Sequence, residues 1–344
     1  MSEPFATLAL IVLAGMLAGA VLWPRHGLLA LWRRRRVAAQ RILAENALKH
    51  IYSAAWQGRS ATLQSLAGAL HLPNTAAVRL VSQLSAQGWV ASREGGLHLT
   101  ADGERYAIDV VRAHRLWERY LVDEARMPLP AVHAEAERRE HNRPAGALQA
   151  LDAILGHPSL DPHGDPIPTA DGRVAGADET PLTDWPANTP ARIAHLEDEP
   201  AVIYSQIVAE GLEPGRVVRV LEADARRVVL SDGERVHTLA PIVAANVFVT
   251  RDGDGVTRAD VARLTTLRQG QQARVEELDG SLQGFTRRRL LDLGVTPGTA
   301  IAAEMNSLFG DPKAYRVRGT LIALRRDQAD KVLIRDIRPV TEAP

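Results

Sequence analysis

The stretch AHRLWERYLVDEARMPLPAVHAEAERREH, Ala113–His141, decides how the rest of the chain is read. It packs three histidines and six acidic side chains into 29 residues. Residues three and four apart share a helix face, so His114 and Glu118 pair on one helix. Beyond the Pro128–Pro130 break, His133, Glu137, Glu140 and His141 fall at i, i+4, i+7 and i+8, a second stripe. Imidazoles and carboxylates converging from two neighbouring helices suit a divalent ion such as Mn²⁺ or Fe²⁺. The interleaved Arg138, Arg139 and Arg143 leave a second reading open, a solvated helix whose acids pair with its own arginines.

Working outward, 344 residues allow two to four small domains, and a net charge of zero exerts no global pull toward nucleic acid. The chain has no cysteine, which excludes disulfides, thiolate catalysis, iron–sulfur clusters and Cys-type zinc sites. It also shows no phosphate loop and no Ser-His-Asp order, so the chain does not read as an enzyme. Toward the N-terminus, Phe5–Trp23 is 19 residues without a charge, spanning roughly 28 Å as a helix. Arg25 and Arg33–Arg36 follow it. The expectation is a single-pass anchor in the cell membrane with the bulk of the chain cytoplasmic.

Between the anchor and the opening stretch, the pattern predicts a helix over 40–56, a second over 63–70 capped by Thr62, and a third over 75–87 closed by Gly88. A hairpin wing over 89–99 turns at Glu94-Gly95-Gly96. This is a winged helix-turn-helix, whose third helix would enter the major groove. Arg79 can read a guanine, Asn74 or Thr75 can hold phosphate, and Arg93 lies on the wing. Six basic against five acidic residues over 42–112 do not make a basic footprint. A winged helix serving only protein contacts remains open.

Three blocks, AHRLWERYLVDE, VHAEAERREH and HPSLDPHGDPIP, resemble in order and spacing the dimerisation domain of the DtxR/MntR family of metal-dependent repressors. The resemblance implies a homodimer in which His114, Glu118 and His133 match one metal site. Glu137, Glu140 and His141 match most of a second. In the family the first helix adds a ligand where this chain has Asn46, and Lys49 stands where manganese-type members carry a Glu. A Glu at 137, where many members have Cys, leans toward Mn²⁺ or Fe²⁺. His157 and His163, in the Pro- and Gly-rich loop 156–168, are expected to hydrogen-bond that loop.

A polar linker over 169–192 leads to two modules that echo each other, GLEPGRVVRV from Gly211 and GVTPGTAIAA from Gly294. A repeated G-x-x-P-G turn feeding a strand suggests two copies of one β-rich unit. The first resembles the SH3-like domain of the same repressors. By that likeness Glu197, Glu199 and Gln206 are the nearest candidates for further ligands. The second, with RRRLLDLGVTPGT, resembles FeoA, the SH3-like partner of ferrous-iron transport.

The expected chain is thus multidomain α+β. It runs from a transmembrane anchor with its basic flank (1–36) to the winged helix-turn-helix (37–112) and a helical metal-binding and dimerisation domain (113–168). The linker, an SH3-like β-barrel module (193–252) and a FeoA-like domain (262–340) follow. The function implied is a membrane-tethered, Mn²⁺- or Fe²⁺-dependent regulator acting on double-stranded DNA, its metal bridging the winged helix to the dimerisation domain. The alternative is a metal-sensing adaptor that leaves DNA alone and sits beside a ferrous-iron transport protein.

Overall fold

The computed structural model describes residues 13, 16, 23, 27–93, 95–174, 179–251, 261–306 and 311–340. It divides into two compact units, 1–110 and 111–344.

In the first unit, α1 (Leu28–Trp56), α2 (Leu63–Ala69) and α3 (Asn74–Ala86) precede the hairpin β1 (Val90–Arg93) and β2 (Gly96–Leu99), after which α4 (Ala101–Asp123) begins. Thr62 and Ser65 cap α2 reciprocally, Thr62 Oγ1 accepting the Ser65 N–H at 3.0 Å and Ser65 Oγ accepting the Thr62 N–H at 2.9 Å. Leu48, Ile51, Leu66, Ala77, Leu80, Leu84, Val90 and Leu97 are buried, so each helix commits one apolar stripe to the interior. Helix, helix, turn, helix and wing thus stand in the expected order. The first helix is longer than its apolar period predicts. Its extension through Arg33–Arg36 meets no Gly or Pro, and arginine and alanine are good helix formers.

The membrane expectation does not stand. Among the described residues no helix is long and apolar enough to cross a membrane. The long helix at this end, α1, carries the four consecutive arginines Arg33–Arg36, each costly in hydrocarbon. The stretch Phe5–Trp23 lies outside the described residues except Leu13, Met16 and Trp23. The single-pass anchor and the cell-membrane location are corrected accordingly.

In the second unit, the rest of α4 is followed by α5 (Leu129–Arg139) and α6 (Ala147–Ile154). Leu116 of α4 packs with Leu151, Leu155 and Ile167, and Leu121 with Val132 and Ala136 of α5. Two six-stranded antiparallel sheets come next. The first contains β3 (Thr180–Pro181), β4 (Pro190–Leu196), α7 (Ala201–Ala209), β5 (Val217–Ala223), β6 (Val228–Ser231), β7 (Val236–Leu239), α8 (Pro241–Ala244) and β8 (Val247–Arg251). The second contains β9 (Ala262–Arg263), β10 (Gln271–Leu278), α9 (Gly284–Asp292), β11 (Ala300–Asn306), β12 (Lys313–Val317), β13 (Thr320–Leu324), α10 (Arg326–Ala329) and β14 (Val332–Pro339).

Strand order is β3-β8-β4-β5-β6-β7 in one sheet and β9-β14-β10-β11-β12-β13 in the other, so the two modules share one topology. The G-x-x-P-G echo has a physical basis. Gly211 and Gly215 take φ of +75° and +87°, and Gly294 and Gly298 take +84° and +82°, a region open to glycine at little cost. In both copies the last glycine donates its N–H at 2.7 Å to the strand before the helix, to Ile193 O and to Val275 O. The first module starts earlier than the linker reading placed it, because Thr180–Pro181 pairs with β8. Proline is tolerated there since the strand is an edge.

Candidate metal centre

Helix α4 presents His114 and Glu118 one turn apart, 5% and 1% exposed. Glu118 Oε1 lies 2.9 Å from His114 Nε2 and 3.3 Å from His133 Nδ1 on α5, and the two imidazole nitrogens are 3.3 Å apart. Donors bonded at about 2.1 Å to one ion sit about 3.0–3.4 Å from each other in octahedral or tetrahedral geometry, and this triangle has those dimensions. Behind it, His114 Nδ1 contacts the buried carboxylate of Glu140, which turns Nε2 toward the triangle as outer carboxylates orient metal-binding histidines.

A second triangle shares the same oxygen. His163, in the Pro–Gly loop, brings Nε2 to 3.5 Å from Glu118 Oε1 and 3.8 Å from Asp198 Oδ2. Asp198 Oδ2 also lies 2.6 Å from His133 Nδ1, and Glu199 Oε1 lies 3.4 Å from His133 Nε2. The donors of each triad, His114-Glu118-His133 and Glu118-His163-Asp198, lie within 4.8 Å of one another.

The loop is built to hold His163 in place. Arg115 of α4 reaches Asp165 at 3.0 Å and Pro166 O at 2.5 Å, and Arg112 donates to Pro168 O at 2.8 Å. Asp161 Oδ1 accepts the N–H groups of His163 and Asp165 at 2.8 and 2.9 Å. Leu196 N–H donates to His163 O at 2.9 Å, tying the loop to the end of β4 just before Asp198. His163 was expected to hydrogen-bond this loop, but Asp161 performs that task. The imidazole, 1% exposed, has no hydrogen-bond partner for either ring nitrogen among the described residues. His157 turns away from the loop as well, its Nδ1 2.8 Å from Asp152 on α6.

Electrostatics agree with a cation seat. Burial disfavours a charged His133, but Asp198, Glu118 and Glu199 outweigh it and push its pKa up to about 12. His163 is likewise raised to about 10 against the cost of burial, through Glu118 and Asp198. Burial would raise the Asp198 carboxyl, yet the two imidazoles hold it down at about 2. Carboxylates in a buried pocket draw positive charge in.

Other expected ligands are distributed unevenly. His141 is buried with Nε2 3.6 Å from Glu140 Oε1. Glu137 is exposed and joins neither triad. Around α5, measured from the Val132–Ala136 core direction at about 100° per residue, Glu140 lies about 60° away and Glu137 about 120°. Glu197 is half-buried, and burial raises its carboxyl pKa. Gln206 is exposed on α7. Asn46, in the first unit, has a buried Oδ1 without a hydrogen-bond partner among the described residues. Asn74, Thr75 and Arg79 are exposed on α3, and Arg93 is exposed at the wing. Sequence reasoning missed Asp198, between its two candidates Glu197 and Glu199, and set His163 aside. The available signal was the proline-rich loop, which freezes a histidine at low entropic cost.

Comparison with known proteins bears on this segment directly. Residues 100–169 match the family described as iron dependent repressor, metal binding and dimerisation domain, and residues 262–336 match the FeoA domain. The chain is 30% identical over 197 residues to the iron-dependent repressor IdeR of Mycobacterium leprae, covering 53% of this chain and 85% of that protein. It is 29% identical over 212 residues to the diphtheria toxin repressor of Corynebacterium glutamicum, covering 58% of this chain and 92% of that one. Among solved structures, a manganese-dependent transcriptional repressor in complex with manganese superposes with a TM-score of 0.58 at 30% identity, over 61% of this chain and 100% of that one.

Proposed function

This chain belongs to the iron-dependent repressor family, and from that membership we propose that it is a Mn²⁺- or Fe²⁺-responsive, homodimeric regulator of transcription that binds double-stranded DNA. The observation that carries the reading is the buried nitrogen–oxygen cluster on α4 and α5, inside the segment that matches the family's metal-binding domain. His114, Glu118 and His133 hold the ion, Glu140 orients His114, and Asp198 closes the open side with Glu199 beyond it. Glu140 and His141 begin a second ligand set. The donors are imidazoles and carboxylates with no sulfur, the set that suits manganese and ferrous iron. A bound ion supplies the positive charge that this pocket favours and so stabilises the arrangement in which its ligands are complete. Arg79, Asn74, Thr75 and Arg93 form the DNA-contacting surface. In a homodimer two such surfaces address half-sites about 34 Å apart.

One observation favours a second reading. Arg79 is the sole charged residue of α3, and Val78 beside it is 47% exposed. This surface also suits protein contact, as in a metal-sensing adaptor beside a ferrous-iron transport protein. Selecting genomic DNA fragments on the full chain, with and without Mn²⁺ or Fe²⁺, separates the two. Metal-dependent enrichment of a common sequence supports the regulator, and its absence supports the adaptor. Arg79→Ala is expected to weaken specific binding by about 1–3 kcal/mol.

A further inference from the structure

The winged helix carries almost no net charge, and the second β module carries a positive excess. Residues 42–112 hold six Lys or Arg against five Asp or Glu, whereas 262–340 hold fourteen against nine. Strand register gathers part of that excess on one sheet face. Along β10, Ala273 and Val275 point into the core and Arg274 is exposed between them, as the two-residue period requires. Arg274 stands directly opposite Arg335 of β14, and Gln272 opposite Arg338. Two steps along β10 thus match three along β14. The resulting bulge at Asp336 and Ile337 brings Arg335 and Arg338 to the same face. Ala302 of β11 continues the Gln272 row to Arg316 of β12. All four arginines are exposed.

These guanidinium groups are only partly neutralised. Arg335 pairs with Glu276 at 2.8 Å and Arg316 with Glu304 at 2.6 Å. Arg274 donates to Gly298 O at 3.0 Å, and Arg338 has no side-chain hydrogen bond or ion pair among the described residues. A cavity of about 370 Å³ opens at the bulge, lined by Gln272, Arg274, Ala300, Asp336, Ile337 and Arg338. Neither arginine of its wall forms an ion pair with Asp336. Like charges directly opposite across a sheet are unfavourable, and a face that keeps them there suits an external anion. Planar guanidinium forks match phosphate oxygens. A protein interface would centre on aromatic or aliphatic anchors, and Ile337 is the one large apolar side chain on the cavity wall.

We propose that this face of the FeoA-like module binds the phosphate backbone of double-stranded DNA, with one phosphate seated between Arg274 and Arg338. The contact is independent of sequence and supplies the electrostatic attraction that the winged helix lacks, since neutralised phosphates supply much of DNA affinity. It extends the DNA-binding reading above but needs no base recognition by α3, so the two can fail separately.

The test is fluorescence-anisotropy titration of the full chain with Mn²⁺, on a random-sequence duplex and on a fragment enriched by the selection above, from about 50 to 200 mM KCl. Each phosphate contact adds about 0.9 to the slope of log K against log salt. Arg274→Gln with Arg338→Gln should therefore flatten the slope by about 1.8 and weaken binding roughly 10–100-fold at about 0.1 M salt, on both duplexes alike. Arg79→Ala should weaken binding to the enriched fragment alone. Glu304→Gln releases Arg316 and should steepen the slope by up to about 0.9. An unchanged slope in the double variant, or in Glu304→Gln if the double variant does not fold, overturns the inference and leaves the regulator standing. The expected slopes on random duplex without any metal-enriched sequence support this contact and count against the regulator. A wild-type chain that ignores duplex but takes up poly-glutamate through these arginines assigns the face to an acidic protein segment and overturns the inference too.

Discussion

Removing the Arg119 guanidinium should loosen the FeoA-like module from the helix that carries the metal ligands. Arg119 follows Glu118 directly on α4 and is fully buried. Its Nε donates to Asp123 Oδ2 at 2.8 Å, Nη1 donates to Gly280 O at 3.0 Å, and Nη2 donates to Leu282 O. Asp123 Oδ1 in turn accepts the Gly284 N–H at 2.6 Å, at the start of α9. Truncation to alanine strands two carbonyls and half of a buried ion pair. Breaking such a pair costs about 3–5 kcal/mol. Arg287 Nε remains 3.4 Å from Asp123, and its own pKa is pulled down to about 9 by burial and by the repulsion of Arg119. Loss of Arg119 relieves that repulsion, so the lower part of the range applies, about 3–4 kcal/mol. Amide hydrogen exchange over 278–293 in the full chain should then rise by roughly 10²–10³-fold. Asp123→Ala should couple to it by at least about 1 kcal/mol in a double-mutant cycle. Exchange that rises less than about threefold would refute the view that this buried network fastens the module.

Other consequences are more local. Glu140→Gln keeps the size of the side chain but weakens its hold on His114, and should lower Mn²⁺ affinity about 10–100-fold in calorimetry without unfolding the chain. Gly164 takes φ of +99°, and a Cβ there would sit 2.0 Å from Ala194 O. Gly164→Ala should therefore cost well over about 1 kcal/mol in urea unfolding and displace His163; an unchanged midpoint would contradict the packing described. Metal binding should also release protons. His133, with its pKa raised to about 12, holds its proton at neutral pH, and a metal ion needs the ring neutral. Affinity should therefore rise as pH rises from 6 to 8, by up to about one log unit per unit of pH, and the calorimetric heat should depend on the ionisation enthalpy of the buffer. Heat independent of buffer would show that the imidazole is already neutral.

Much of this molecule can be read from local pattern alone. The i, i+4 spacing of His114 and Glu118, the Thr62 cap, the Gly95 turn and the twin G-x-x-P-G segments are set by neighbours a few residues away, where helix period and glycine conformation act directly. The resemblance to the metal-dependent repressors also rested on short blocks, and it located the metal-binding segment. The apolar run Phe5–Trp23 and the arginines after it were read as a membrane span with its basic flank, whereas no described helix is long and apolar enough to cross a membrane, and Arg33–Arg36 belong to the long helix α1.

What local pattern could not supply is which distant segments meet. His163 reaches Glu118 because Arg115, Asp161 and the Leu196 N–H pin a proline-rich loop between α4 and β4. Asp198 joins, and not Glu197, through the way the chain leaves β4 for α7. Arg119, which no local pattern singles out, is the buried fastening of a module whose sequence lies more than a hundred residues away. Helical spacing reports only side chains on the same few turns. The donors of a metal cluster and the partners of a buried cation are selected by chain closure across the fold, where the cost of leaving polar groups unpaired decides which arrangement survives.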